Sequence, residues 1–274
     1  MLRLRYTIVA LSLCVAAWAE DGSRLWLRMT ESNTAQVTGP ACTAAEELHK
    51  YWRGDEVTLT KKKGYGAEGY AIVSENGKTS VAASTDAGLL YGAFHLLRLQ
   101  ETDTDIRHIN IAEKPAYSLR LLNHWDNPNG TVERGFAGHS IFWPEVNDTI
   151  LLQYAKADAS VGINGTVLNN VNAKPQMLAT ENLQHVKHIA DILRPYNIRV
   201  YLSVNFASPI HVGGLKTADP LDKEVRTWWK KKVDEIYRLV PDFGGFLVKA
   251  NSEGEPGPCD YGRSHAEGAN MLAD

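Results

Sequence analysis

Apolar and polar positions along the chain fall into two textures that meet near residue 115. In the first, Arg24 to Met29 alternates polar with apolar, the period-two signature of a half-buried strand. Thr43 to Arg53 predicts a helix with Thr43 as its cap, Glu46 at the capping-box position, and Leu48, Tyr51 and Trp52 as an apolar stripe. Glu56 to Lys61 and Gly69 to Ser74 are rich in strand formers, and Asn76-Gly77 reads as a hairpin turn into Thr79 to Ala83. Asp86 to Gln100 is a second helix carrying Leu89, Leu90, Phe94 and Leu97. Strands and helices are mixed here, which predicts an α+β N-terminal domain over residues 20–115.

From about Tyr117 the pattern becomes a strand–helix beat. Strands are expected at Ser118–His124, Gly165–Asn170, Ile198–Asn205 and Gly244–Asn251, and helices at Thr149–Ser160, Glu181–Tyr196 and Asp222–Val240. Such alternation predicts a parallel sheet. A doubly wound sheet and a (β/α)8 barrel both fit the beat, and three features favour the barrel. No strand runs into a glycine-rich phosphate loop. The strands end in polar and aromatic residues, where a barrel builds its site. The loops after the first and third strands are long. A barrel needs eight strands in about 250 residues, whereas residues 116–274 hold four and end as a further helix begins at Ala266. The expectation is therefore an incomplete α/β barrel, the chain being a fragment cut near its middle.

The first residues stand outside this pattern. Met1 to Arg5 is basic, Tyr6 to Trp18 is apolar but short for a membrane span, and Ala17-Trp-Ala19 has the small-x-small form of a cleavage site. Residues 1–19 thus read as a secretory signal, with a secreted or periplasmic destination and no stable membrane insertion after cleavage. Removing Arg3 and Arg5 shifts the formal net charge from −3 to −5. With no basic excess, nucleic acid is not an expected partner. Cys14 leaves with the signal, and Cys42 and Cys259 lie too far apart in sequence to suggest a disulfide framework or a metal site. The histidines lack metal-ligand spacing, and no cofactor is expected. Asn129, Asn147 and Asn164 each begin a glycosylation triplet.

Candidate chemistry gathers at the predicted strand ends. In Gly244-Gly-Phe-Leu-Val-Lys-Ala-Asn-Ser-Glu-Gly-Glu-Pro-Gly-Pro258, Lys249, Asn251 and Glu253 share one face if the strand stays extended. A cation, an amide and a carboxyl on one lip suit catalysis, with Glu255 ranked second to Glu253. Asn123-His-Trp-Asp-Asn127 places Trp125, a residue suited to stacking on a sugar ring, at the end of the first barrel strand, and Trp143 makes a weaker case of the same kind. Asn164-Gly-Thr-Val-Leu-Asn-Asn-Val-Asn172 surrounds one strand with amides, Asn164 and Asn170 among them, that suit either a polyhydroxylated ligand or turns.

These three stretches, with Asp260-Tyr-Gly-Arg263 and His265-Ala-Glu-Gly-Ala-Asn-Met-Leu272, resemble glycoside hydrolase family sixty-seven, the α-glucuronidases. The resemblance implies an inverting enzyme that removes α-1,2-linked glucuronic acid, or its 4-O-methyl form, from glucuronoxylan-derived oligosaccharides. It implies Glu253 as general acid, Lys249 as the contact to the uronate carboxylate and Trp125 as a candidate stacking residue. It also implies that the general-base carboxylates lie further along the barrel than Asp274. A homodimer of the full-length protein stays open, as do two other readings: an inactive carbohydrate-binding fragment, and another two-domain barrel glycosidase such as a hexosaminidase.

Overall fold

The computed structural model describes residues 22–172, 174–249, 251 and 254–274. The candidate signal, residues 1–19, lies outside them. Among the described residues no helix is long and apolar enough to cross a membrane.

The N-terminal region forms a five-stranded mixed sheet: β1 (Val37–Thr38), β2 (Val57–Lys61), β3 (Tyr70–Glu75), β4 (Lys78–Ala83) and β5 (Ile109–Glu113), in the order β1-β2-β4-β3-β5. β1 and β4 flank β2 in parallel, while β3 runs antiparallel to β4 and β5. The predicted hairpin forms with Glu75 opposite Lys78, leaving Asn76 and Gly77 as its two loop residues, both at positive φ. That is the conformation an Asn-Gly turn supplies at low cost. Helices α1 (Thr43–Tyr51) and α2 (Asp86–Glu101) bury Leu48, Leu89, Phe94 and Leu97 against Val57, Ile72 and Val81.

Three local expectations shift. Arg24 to Met29 is no strand: Leu25 and Leu27 donate backbone hydrogen bonds to Gly22 and Arg24, closing two tight turns. Its alternation survives only as burial of Leu27 and Met29. The N-cap of α1 is Cys42 rather than Thr43, with no side-chain cap. Strand β5 carries a weak alternation of Ile109 and Ile111 that sequence reading passed over.

The second sheet is fully parallel, in the order β6 (Leu121–Asn123), β7 (Gly165–Val167), β8 (Arg199–Val204) and β9 (Gly245–Val248). Between the strands run α3 (Asp148–Ser160), α4 (Thr180–Leu193), the short α5 (Ser208–His211) and α6 (Lys223–Leu239), with α7 (His265–Ala273) last. The expected beat is present with shorter strands. Leu151, Val186, Ile189, Val225, Trp229 and Ile236 cover one face of the sheet. Asp222 caps α6 through Glu224 and Val225, and Asn147 caps α3 through Thr149 and Ile150.

On the other face, Tyr201 fills space that two glycines leave open. A Cβ at Gly244 would lie 2.2 Å from the Tyr201 ring, and one at Gly165 would lie 2.7 Å from it. The phenol ring therefore packs against backbone on both neighbouring strands.

Two polar joints hold the sheets together. In the first, the Lys156 ammonium of α3 lies 2.8 Å from Glu47 Oε1 of α1, with both side chains almost wholly buried. The Tyr196 hydroxyl donates to the same oxygen at 2.7 Å, and Lys156 sits 5.3 Å from the centroid of the Tyr51 ring. In the second, Glu68 accepts from Arg120 at 3.0 Å, Asn164 at 3.1 Å and Asn197 at 3.0 Å.

A buried pair loses more when one partner goes than when both do. Lys156→Met should lower unfolding free energy by about 3–5 kcal/mol in denaturant titration, since it strands the Glu47 charge. Adding Glu47→Leu should recover much of that loss.

Candidate active site

Register fixes which side chains share the open face. Asn123, Val167, Tyr201 and Gly245 form one row across the four strands. Because strand side chains alternate, the rows above it bring Trp125, Asn169 and Ser203 to this face, then Asn205 and Lys249. All lie toward the C-terminal lips. The face is closed at the bottom by Tyr201 and lined with polar groups at the top.

The upper rows are rigid. Asn169 donates to the Ser203 carbonyl at 3.0 Å and accepts its N–H at 2.9 Å. Asn205 accepts the Ala207 N–H at 2.9 Å, pinning the turn after β8. A line of hydrogen bonds then crosses the lip. The Trp125 carbonyl accepts from the Glu133 N–H at 2.8 Å, and the Asp126 carbonyl accepts from the Asn170 N–H at 2.7 Å. Asn170 Nδ2 donates to the Glu133 carbonyl at 3.3 Å, and its Oδ1 accepts the Asn172 N–H at 2.9 Å. Asn172 Oδ1 in turn accepts from the Lys249 ammonium. The β6 lip is thereby linked to the β9 lip.

The predicted site residues divide accordingly. Trp125 stands on the lip, 37% exposed. Lys249 is half-buried on the lip of β9 and, among the described residues, pairs with no carboxylate. Glu253 lies outside the described residues. Asn251 follows a strand that stops at Val248, so the extended run does not reach it; it is exposed and donates to Asp260 at 3.4 Å. Three other candidates have partners within the fold. Asn164 precedes β7 and sits at the opposite end from the lips, bonded to Glu68, Ser118 and the Arg120 N–H. Asn170 is buried, with both ends of its amide engaged. Trp143 is 3% exposed: its indole lies 4.6 Å from the His185 ring and donates to the Leu168 carbonyl at 2.9 Å, leaving no face for a sugar. Glu255 is paired with His211 at 2.9 Å, tying the loop after β9 to α5.

Behind the lip runs a buried polar chain that sequence reading missed. His124 lies 3.7 Å from Asp126 and 2.9 Å from the Tyr154 hydroxyl, which is 2.9 Å from Thr166. Burial lowers the His124 pKa and raises that of Asp126; the Ser140 hydroxyl and the Ile141 N–H only partly offset the latter. One turn beyond Tyr154, Asp158 is completely buried, and neither oxygen makes a well-formed hydrogen bond. Burial pushes its pKa up to about 6, against a smaller opposing effect of Tyr154. The signal available in sequence was the spacing of Tyr154 and Asp158 on one helical face. Among the described residues, no group of three His, Cys, Asp or Glu side chains is placed to hold a metal.

A parallel β/α sheet with its polar and aromatic residues gathered on the C-terminal lips defines an α/β fold. The chain belongs to glycosyl hydrolase family 67, whose middle domain matches residues 99–274. The probable α-glucuronidase A of Aspergillus clavatus is 42% identical over 210 residues, covering 75% of this chain and 25% of the relative. The α-glucuronidase of Hypocrea jecorina is 36% identical over 326 residues, covering 97% of this chain and 38% of the relative. The chain thus spans between a quarter and two fifths of the length of these relatives. Among solved structures, a β-N-acetylhexosaminidase from Streptomyces coelicolor superposes with a TM-score of 0.56 at 12% identity, over 88% of this chain and 60% of that one. At that identity the likeness concerns the fold alone.

Asp158 makes stability depend on pH. Between its ordinary value near 3.8 and about 6, the folded protein binds more protons than the unfolded chain, so stability falls as pH rises. The cost is absent below about pH 4 and complete above about pH 6, and amounts to roughly 3 kcal/mol. Asp158→Asn should flatten this slope in denaturant unfolding compared at pH 4.5 and 7.5, and should stabilise the protein at the higher pH.

Proposed function

We propose that this chain supplies the N-terminal region and the first four strands of the (β/α)8 barrel of a secreted α-glucuronidase, one that releases α-1,2-linked glucuronic acid or its 4-O-methyl form from xylo-oligosaccharides. On this reading residues 1–19 are the export signal, 20–115 the α+β domain and 116–274 the first half of the barrel. The family membership and the relatives' names support the activity. The single observation that carries the substrate class is Lys249: a half-buried ammonium on a strand lip whose described partner is a neutral amide. Burying a charge without an opposite charge is costly, and a uronate carboxylate supplies that charge. Trp125 presents ring area for the pyranose alongside.

Glu253 takes the role of general acid in this proposal. An inverting hydrolase needs a second carboxyl about 6.5–9.5 Å away, with a water between it and the sugar. A general acid must also hold its proton near neutral pH. Lys249, four residues before it in sequence, would oppose this while its charge is free, and would stop doing so once a substrate carboxylate pairs with it. Binding an acidic sugar would then favour the protonated acid that the next step needs.

Two measurements test this. Lys249→Met should weaken binding of glucuronic acid by about tenfold or more, the worth of a charge-assisted hydrogen bond of 1.5–3 kcal/mol, while glucose affinity stays within about twofold. Equal losses for both sugars would make Lys249 a scaffold residue. In the complete enzyme, Glu253→Gln should lower turnover of glucuronoxylo-oligosaccharides by about 10²–10⁴-fold. The loss should be much smaller on an aryl glucuronide whose leaving group needs little protonation; equal losses would shift the acid to another carboxyl.

A further inference from the structure

We propose that Asn172 is a specificity-determining residue: it anchors Lys249 without neutralising it and adds a second donor for a carboxylate. The proposal rests on the uronate reading above and deepens it.

Lysine has three donors and no acceptor, so the group turned toward it must be the amide oxygen of Asn172. The amide NH2 is then turned the other way. No described residue accepts from it, and the side chain is only partly buried, so it is available as a donor. A carboxylate arriving at the lip meets two donors, one charged and one neutral, from the segments that follow β7 and β9.

The position is held from behind. The Asn172 N–H is fixed by Asn170, and Asn170 by the Asp126 and Glu133 carbonyls of the β6 loop. Every link from Trp125 to Lys249 is thus a backbone group or an amide, and none is an ionised carboxylate. Asp126 accepts through its backbone carbonyl, and burial favours the neutral form of its carboxyl. A line of neutral groups orders the lysine, and among the described residues no carboxylate pairs with its charge. An aspartate at position 172 would have nearly the same shape, but it would pair with Lys249 and put an acceptor where the carboxylate needs a donor.

The test uses the full chain and three ligands of one ring type: glucuronic acid, its uncharged methyl ester, and glucose, measured by ligand-observed NMR titration. Wild type should prefer glucuronic acid. Asn172→Asp should lower glucuronic acid affinity by about tenfold or more, because it cancels a charge-assisted contact, and should leave the ester and glucose within about twofold. Asn172→Ala keeps the lysine charge but loses the anchor and one neutral hydrogen bond. It should lower glucuronic acid affinity by about two- to tenfold and keep the preference over glucose. If Asn172→Asp does not fold, the alanine variant still decides, because an equal loss on glucuronic acid and its ester overturns the proposal. So does an aspartate variant with wild-type affinity. Wild type that binds glucuronic acid and glucose equally overturns the uronate reading itself, and the role of Asn172 with it; preference in wild type retained by Asn172→Asp overturns the role of Asn172 alone.

Discussion

Parallel pairing of β6 to β9 is the constraint from which the rest of this architecture follows. When four strands run the same way, all their C-terminal ends meet at one edge, and every residue that overshoots a strand is delivered there. Trp125, Asn169, Asn205 and Lys249 come from segments up to 124 residues apart, counted from the sequence, yet lie within adjacent rows of a single face. A parallel sheet also buries its helix-side face fully. Asp126, His124 and Tyr154 have shifted titration through burial beneath the lip, where the Phe142 ring meets His124 and Tyr154 edge-on. The glycines at 165 and 244 answer the same constraint from the other side, because neighbouring strands can enclose the Tyr201 ring only where no Cβ intrudes.

The N-terminal sheet is coupled to this one by charge and hydrogen bonds as well as by apolar packing. Lys156 and Glu47 come from helices that face each other, and Tyr196 closes the group from the end of α4. Glu68 gathers Arg120, Asn164 and Asn197 near the N-terminal ends of β6, β7 and β8. Both joints lie away from the lips. The anchored end of the parallel sheet is thus its bottom, opposite the lips.

Much of this was legible in the sequence, for physical reasons that also mark where legibility ended. Helix α6 could be read because Val225, Trp229 and Ile236 recur at helical spacing. The β3–β4 hairpin could be read because Asn76-Gly77 suits one turn geometry. Trp125 and Lys249 could be placed because overshooting a parallel strand leads to the lip. Asn170 and Trp143 suit a ligand by sequence, and both have partners within the fold. Whether an amide or an indole is already satisfied depends on partners such as Glu133 and His185, which no local pattern reveals. Asn164 shows the same limit at the other end of β7, where its partner Glu68 is 96 residues away in sequence. The Lys156–Glu47 pair spans 109 residues by number and leaves no periodic trace.

The central claim is that the lip between β6 and β9 holds a uronate, with its carboxylate on Lys249 and its ring beside Trp125. A crystal structure of the chain with glucuronic acid bound tests this most directly. The account predicts the sugar carboxylate within hydrogen-bond distance of Lys249 Nζ and Asn172 Nδ2, with the pyranose ring against the exposed side of Trp125. A sugar bound at the N-terminal ends of the strands, or on the lip with its carboxylate turned to solvent, would contradict it.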